Sequence, residues 1–173
     1  MIDLLRSRRS IRKFTSQPIE AEKIEIIKEA LLRSPSSRGI NPWRFILVDD
    51  RALLEKLASA KKSGGEFLRH AALAIAICAD DRQSDVWVED CSIAAIICQL
   101  TAHSLGLGSC WVQIRNRPHN EKQSAEESVR EILGIPPSIK VECIVAVGYP
   151  DESPKPVPAA KLKHDRIGMN RFA

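Results

Sequence analysis

The longest periodic segment, Val86 to Leu105, is apolar almost all round: Ile93, Ile96, Ile97 and Leu100 alternate with the small residues Ala94, Ala95 and Ala102. A helix without a polar face has to be covered on most of its sides, so a chain that carries one mid-sequence must build its other elements around it. The 173 residues suit a single domain, 1–173, of a size that buries roughly 70% of its unfolded surface. The apolar run from His70 to Ala79 is shorter than the about 20 residues that span a bilayer. The start IDLLRSRRSIRKF carries charge in every short window, unlike a secretory leader. A soluble, cytoplasmic protein without a membrane segment is the expectation.

Around the central helix the pattern predicts a short amphipathic helix over Ile2–Ser10 and a second helix over Glu20–Arg33, with Ile24, Ile27, Ala30 and Leu31 on one stripe. A third covers Asp50–Ser59, and a fourth covers Ser124–Leu133, stopped by Gly134 and sealed by Pro136 and Pro137. Strands are expected at 44–49, at 71–79, where continuous apolar character implies cover on both faces, at 110–114, and at 141–149. The segment Ser34 to Trp43, with its Pro, Gly, Ser and Asn, is a loop, and Lys61–Glu66 reads as a flexible one. The first strand arrives after two helices, so regular βαβ repetition is absent and the order points to α/β or α+β layers. Beyond Pro150 no core pattern returns, yet the tail ends in Ile167, Met169 and Phe172. Such an apolar extension suits an arm exchanged with a second copy.

The five cysteines, Cys78, Cys91, Cys98, Cys110 and Cys143, are odd in number and embedded in apolar runs, with no C-x-x-C pair. They read as buried thiols, neither a disulfide framework nor a metal site. Of the net charge of +4, a large part is local: Arg6, Arg8, Arg9, Arg12 and Lys13 crowd around Ser10. Guanidinium forks beside a hydroxyl suit a phosphate, and a solvated face is the other reading. Arg8 and Arg12, four apart, point the same way if the helix runs through Ser10. Gly106-Leu107-Gly108-Ser109 lacks the order of a dinucleotide loop. It serves as a helix stop or as a row of backbone donors facing a ligand. No G-x-S-x-G, no H-E-x-x-H and no common histidine spacing occur. Phosphate-binding groups without acid–base machinery fit a protein whose cofactor performs the chemistry.

Four motifs in order carry a resemblance over nearly the whole chain: Arg8-Arg9-Ser10-Ile11-Arg12-Lys13-Phe14; Ser34-Pro35-Ser36-Ser37 leading through Asn41 to Trp43; Ala102 to Trp111, containing the Gly106–Ser109 turn; and the tail cations Lys161, Lys163 and Arg166. With these the chain resembles the nitroreductase family of FMN-dependent oxidoreductases. That resemblance implies an α+β fold: a central mixed or antiparallel sheet flanked by helices, a long buried central helix, and a C-terminal extension embracing a partner subunit. It implies a homodimer with FMN at the subunit interface, NADH or NADPH as reductant, and ping-pong hydride transfer through flavin N5 to an electron-poor small molecule such as a nitroaromatic or quinone. No side chain acts as a catalyst in that scheme, and no metal takes part.

By position, Arg8, Arg9, Ser10 and Arg12 bind the phosphate and the pyrimidine side of the flavin. Pro35, Ser36 and Ser37, with Asn41, reach the flavin held mainly by the other subunit. Leu107, Gly108 and Ser109 lie along the ring edge, and Lys163 and Arg166 close over the phosphate. The chain departs from the family pattern at Gly39 and Asn41, where the family has Asn and Gln. Gln113, Arg115 and His119 are expected toward the flavin edge or substrate mouth. Trp43, Trp87 and Trp111 read as core or interface anchors. A specialised flavin- or ring-reducing member of the family is the alternative. A non-enzymatic phosphate or nucleic-acid binder is more distant, because Glu20, Glu22, Glu25 and Glu29 interrupt any basic stripe.

Overall fold

The computed structural model describes residues 1–172. Five helices, α1 (Ile2–Ser7), α2 (Ala21–Leu32), α3 (Arg51–Ala58), α4 (Trp87–Ser104) and α5 (Ala125–Leu133), surround four strands, β1 (Trp43–Val48), β2 (Leu73–Ala79), β3 (Gly108–Gln113) and β4 (Lys140–Gly148). The sheet order is β1-β2-β4-β3, and all three strand pairings are antiparallel. This is the α+β nitroreductase-like layering that the resemblance implied. Among the described residues the one parallel link is an isolated bridge between Ser10 and Ser109.

β2 is buried along its whole length, as its unbroken apolar run requires. One sheet face packs on α3 and α5 around Leu54, Leu57, Val112, Val129 and Ile144. The other packs on α2 and α4 around Ile27, Leu31, Ile75, Ile77 and Val145. Ser124 and Glu127 form a reciprocal capping box at the start of α5, and Gly134 ends it in the left-handed conformation.

Three features differ from the sequence reading for identifiable reasons. The first helix stops at Ser7 rather than near Ser10. The Ser7 hydroxyl donates back to Asp3 O at 2.8 Å, and Arg8 is already extended, with φ −59° and ψ 132°, because Ser10 must pair with Ser109. Arg8 and Arg12 therefore share no helix face. β2 starts at Leu73 rather than at 71, because a 3-10 turn over Glu66–His70 precedes it and is capped at Ala71. The central helix is buried at Asp90, Cys91, Ala94, Ala95, Cys98, Gln99 and Ala102 but opens its other side, where Ile93 and Ile96 are nearly 40% exposed (39% and 38%).

All five thiols are free and buried. Loss of hydration pushes Cys78 and Cys98 up to about 12, which keeps them protonated and unreactive. No helix among the described residues is long and apolar enough to cross a membrane.

Candidate functional site

The N-terminal segment is threaded between two sheet ends. Ile11 N–H donates to Ser109 O at 3.0 Å, Thr15 N–H donates to Tyr149 O at 2.9 Å, and Asp151 N–H donates to Lys13 O at 2.9 Å. Residues 10–15 thus pair with the start of β3 on one side and with the exit of β4 on the other. Two glycines permit this. Gly108 and Gly148 are partners in the ladder. A Cβ on Gly108 would meet Ile11 at 2.8 Å, and one on Gly148 would meet the Phe14 ring at 2.9 Å. Ile11 and Phe14 are buried against these bare backbones, and the cationic side chains between and around them stay outside.

The result is a cleft of about 540 Å³ lined by Leu5, Arg8, Arg9, Ser10, Arg12, Glu152, Pro154 and Val157. Among the described residues no carboxylate lies within 4.0 Å of the Arg8, Arg9 or Arg12 guanidinium. Arg9 donates only to Lys155 O, at 2.6 Å. The Arg12 guanidinium lies 5.9 Å from the centroid of the Phe67 ring. Guanidiniums gathered without anionic partners suit an external anion with several acceptor oxygens. An FMN phosphate matches that donor set.

A smaller cavity of about 220 Å³ adjoins the cleft and shares Arg9, Glu152 and Pro154 with it. Leu107 and Gly108 line this cavity with Ser7 and His103, and the Ser7 hydroxyl is 2.8 Å from His103 Nε2. This contact ties the first helix to the C-terminal end of α4.

Next to the cleft runs an open sheet edge. Ile114 N–H turns inward to Glu142 O, while Ser109 O accepts from Ile11 on the outside. Backbone direction alternates along a strand, so the N–H groups of Trp111 and Gln113 face the unpaired edge of β3. These donors were not singled out from the sequence. The edge position of β3 depends on long-range pairing with β4.

The other predicted groups lie elsewhere. Ser36, Ser37 and Asn41 sit at the N-terminal end of α4. There, Ser37 N–H donates to the buried Asp90 at 2.8 Å, and Ser36 Oγ bonds both Asn41 Oδ1 at 2.7 Å and Asn41 N–H at 2.8 Å. Arg38, Gly39 and Asn41 all take positive φ, and Pro35 is exposed at the loop surface. α4 spans 18 residues, so this loop and the Gly106–Ser109 turn lie roughly 27 Å apart along one helix. Lys163 and Arg166 lie on the exposed tail beyond Val157, outside the cleft wall.

The Gln113 side chain accepts from Trp111 Nε1 at 2.9 Å and donates to Arg115 O at 2.9 Å. Arg115 approaches the buried Glu142 at 3.9 Å and lies 5.7 Å from the centroid of the Trp87 ring. Burial raises the Glu142 carboxyl, and Arg115 counters that effect. These two side chains therefore serve an internal network near the start of α4. His119 lines an open cleft of about 720 Å³ with Lys62 and Lys122.

Fold and site together give a cleft of guanidiniums without ion-pair partners among the described residues, beside an open sheet edge. The nitroreductase family model matches residues 5–65 and 58–149. An FMN-dependent nitroreductase from Clostridium difficile R20291 superposes with a TM-score of 0.98 at 46% identity, covering 99% of this chain and 100% of that one. An Archaeoglobus fulgidus protein with the provisional description NADH dehydrogenase/NAD(P)H nitroreductase is 39% identical over 155 residues, 87% of this chain and 86% of that protein. The NADPH-flavin oxidoreductase of Vibrio harveyi is 31% identical over 182 residues, 95% of this chain and 72% of that protein. The chain belongs to the nitroreductase family of FMN-dependent NAD(P)H oxidoreductases, as a short member.

Proposed function

We propose that the protein binds FMN and passes hydride from NADH or NADPH, through flavin N5, to an electron-poor small molecule such as a nitroaromatic or quinone. The observation that carries this reading is the cleft in which Arg8, Arg9 and Arg12 stand around Ser10 without a carboxylate partner. Bound there, FMN would supply a ring that takes up and gives away hydride.

The chain's own residues bind and orient. Arg8, Arg9 and Arg12 offset the phosphate charge, and the Ser10 hydroxyl adds a donor. The free N–H groups of Trp111 and Gln113 hold the polar edge of the ring and favour charge that develops there. Gly108 and Ser109 set the position of that edge by anchoring Ile11. In this scheme no side chain transfers a proton.

The working unit in this proposal is a homodimer. The Pro35–Ser37 loop with Asn41 is roughly 27 Å of helix away from the cleft, too far for one flavin to touch both within one protomer. A twofold arrangement with antiparallel α4 helices brings the loop of one copy over the cleft of the other. It also covers the exposed Ile93 and Ile96. The tail supports the same arrangement. Leu162, Ile167, Met169 and Phe172 are 52% to 102% exposed, and an apolar surface pocket of about 400 Å³ lies at the β1 edge between Leu32, Trp43, Phe45 and Leu47. Exchanged arms would bury such residues and bring Lys163 and Arg166 toward a phosphate. Five buried free thiols agree with a cytoplasmic setting.

The test is spectroscopic. The purified protein should be yellow or take up FMN, and its visible flavin band should bleach when NADH or NADPH is added without oxygen. The colour should return on adding a quinone or nitroaromatic. Protein that neither holds FMN nor bleaches with either nucleotide contradicts the proposal.

A further inference from the structure

Among the described residues Glu152 is the only carboxylate lining the cationic cleft, and it forms no ion pair within 4.0 Å with any of the guanidiniums. Its Oε1 instead accepts the backbone N–H groups of both Arg12 and Lys13. These hydrogen bonds hold the carboxyl below its ordinary value, so it is an anion at neutral pH. Its chain neighbour Asp151 donates its backbone N–H to Lys13 O, and the Phe14–Pro150 bridge follows. Glu152 therefore extends the pairing between the N-terminal segment and the β4 exit by one side-chain rung.

Two successive N–H groups pointing the same way form a small anion-binding concavity. Glu152 occupies it. An incoming phosphate is left to the side-chain forks of Arg8, Arg9 and Arg12, and the Arg12 fork springs from the backbone that Glu152 grips. The residue also stands at the root of the tail, so one carboxylate joins the cleft to the segment on which Lys163 and Arg166 travel.

We propose that Glu152 is the positioning residue of the phosphate cradle. By holding the Arg12 and Lys13 amides it fixes the Arg12 guanidinium for a phosphate monoester, and its role lies in hydrogen-bond reach rather than in charge repulsion. The proposal rests on the FMN reading above. It concerns the phosphate end of the ligand alone, since the ring edge is served by β3.

The test measures dissociation constants of FMN and of riboflavin, which lacks the phosphate, by fluorescence titration of full-length protein freed of flavin. Wild type should prefer FMN strongly. Glu152→Ala should weaken FMN by about tenfold or more, the scale of a lost charge-assisted hydrogen bond, and leave riboflavin within about twofold. Glu152→Gln keeps an acceptor oxygen at the same reach and should stay within about threefold of wild type for FMN. Glu152→Asp keeps the charge but is one methylene short, and it should behave like Ala. If the Ala variant does not fold, the Gln and Asp variants carry the same comparison.

Equal weakening of both flavins by Ala or Asp would reduce Glu152 to a general structural role and overturn the proposal. So would unchanged FMN binding in those two variants, or tighter FMN binding in the Gln variant. A wild type that binds FMN no better than riboflavin, or binds neither, overturns the phosphate reading itself and this proposal with it.

Discussion

Gly108→Ala should destabilise the protein by about 1–3 kcal/mol, the usual cost of an overpacked site, and weaken FMN binding at the same time. The added methyl would meet Ile11 Cβ and both Cγ atoms at 2.8 Å. A Cβ cannot swing away as the end of a long side chain can, so the backbone at Ile11 has to move. That backbone is hydrogen-bonded to Ser109 and lies between Ser10 and Arg12, two residues of the cleft. At roughly 2–4 °C per kcal/mol for a chain of this length, the melting temperature should fall by about 2–12 °C. In an Ile11→Ala background the same change should cost less, because part of the clash has gone, and a double-mutant cycle measures that coupling. An unchanged melting temperature together with unchanged FMN affinity would show that Ile11 does not hold the cradle.

The second large effect concerns the guanidiniums. Arg8→Ala combined with Arg12→Ala should weaken FMN by about a hundredfold or more, at 1.5–3 kcal/mol for each charged hydrogen-bonding partner lost. Riboflavin binding should change far less. Arg12 is exposed, Arg8 is half-buried, and neither forms an ion pair among the described residues, so the folded state should keep its melting temperature within about 1–2 °C in the absence of flavin. Arg12→Lys should lie between, since an ammonium keeps the charge and loses the fork. Fluorescence titration with the two flavins separates these effects. Equal losses for FMN and riboflavin would place the arginines away from the phosphate.

The central helix, the β2 strand and the α5 caps were legible because each rests on local signals: an apolar run, its bounding loops, and Ser124, Glu127 and Gly134 at helix ends. The cationic half of the site was legible for a similar reason, since Arg8, Arg9, Ser10 and Arg12 are neighbours in sequence. Glu152 was not. Its carboxylate joins the cleft by accepting from a backbone N–H 140 residues away, and nothing in its own neighbourhood announces that. The Trp111 and Gln113 donors were missed because edge position is a property of the whole sheet. Gln113 and Arg115, expected toward the flavin edge or substrate mouth, make side-chain contacts with Trp111, Glu142 and Trp87 that only the folded sheet brings together. The first helix was drawn too long because the pull of Ser109 on Ser10 is a long-range contact.

The central claim is a flavin site completed by two copies of the chain, and sedimentation of the flavin-loaded protein, followed through the visible band of the bound flavin, tests it most directly. The boundary carrying the colour should move with a mass of about twice 19.3 kDa, with one FMN per chain. A flavin-carrying species of 19.3 kDa with undiminished affinity would contradict it.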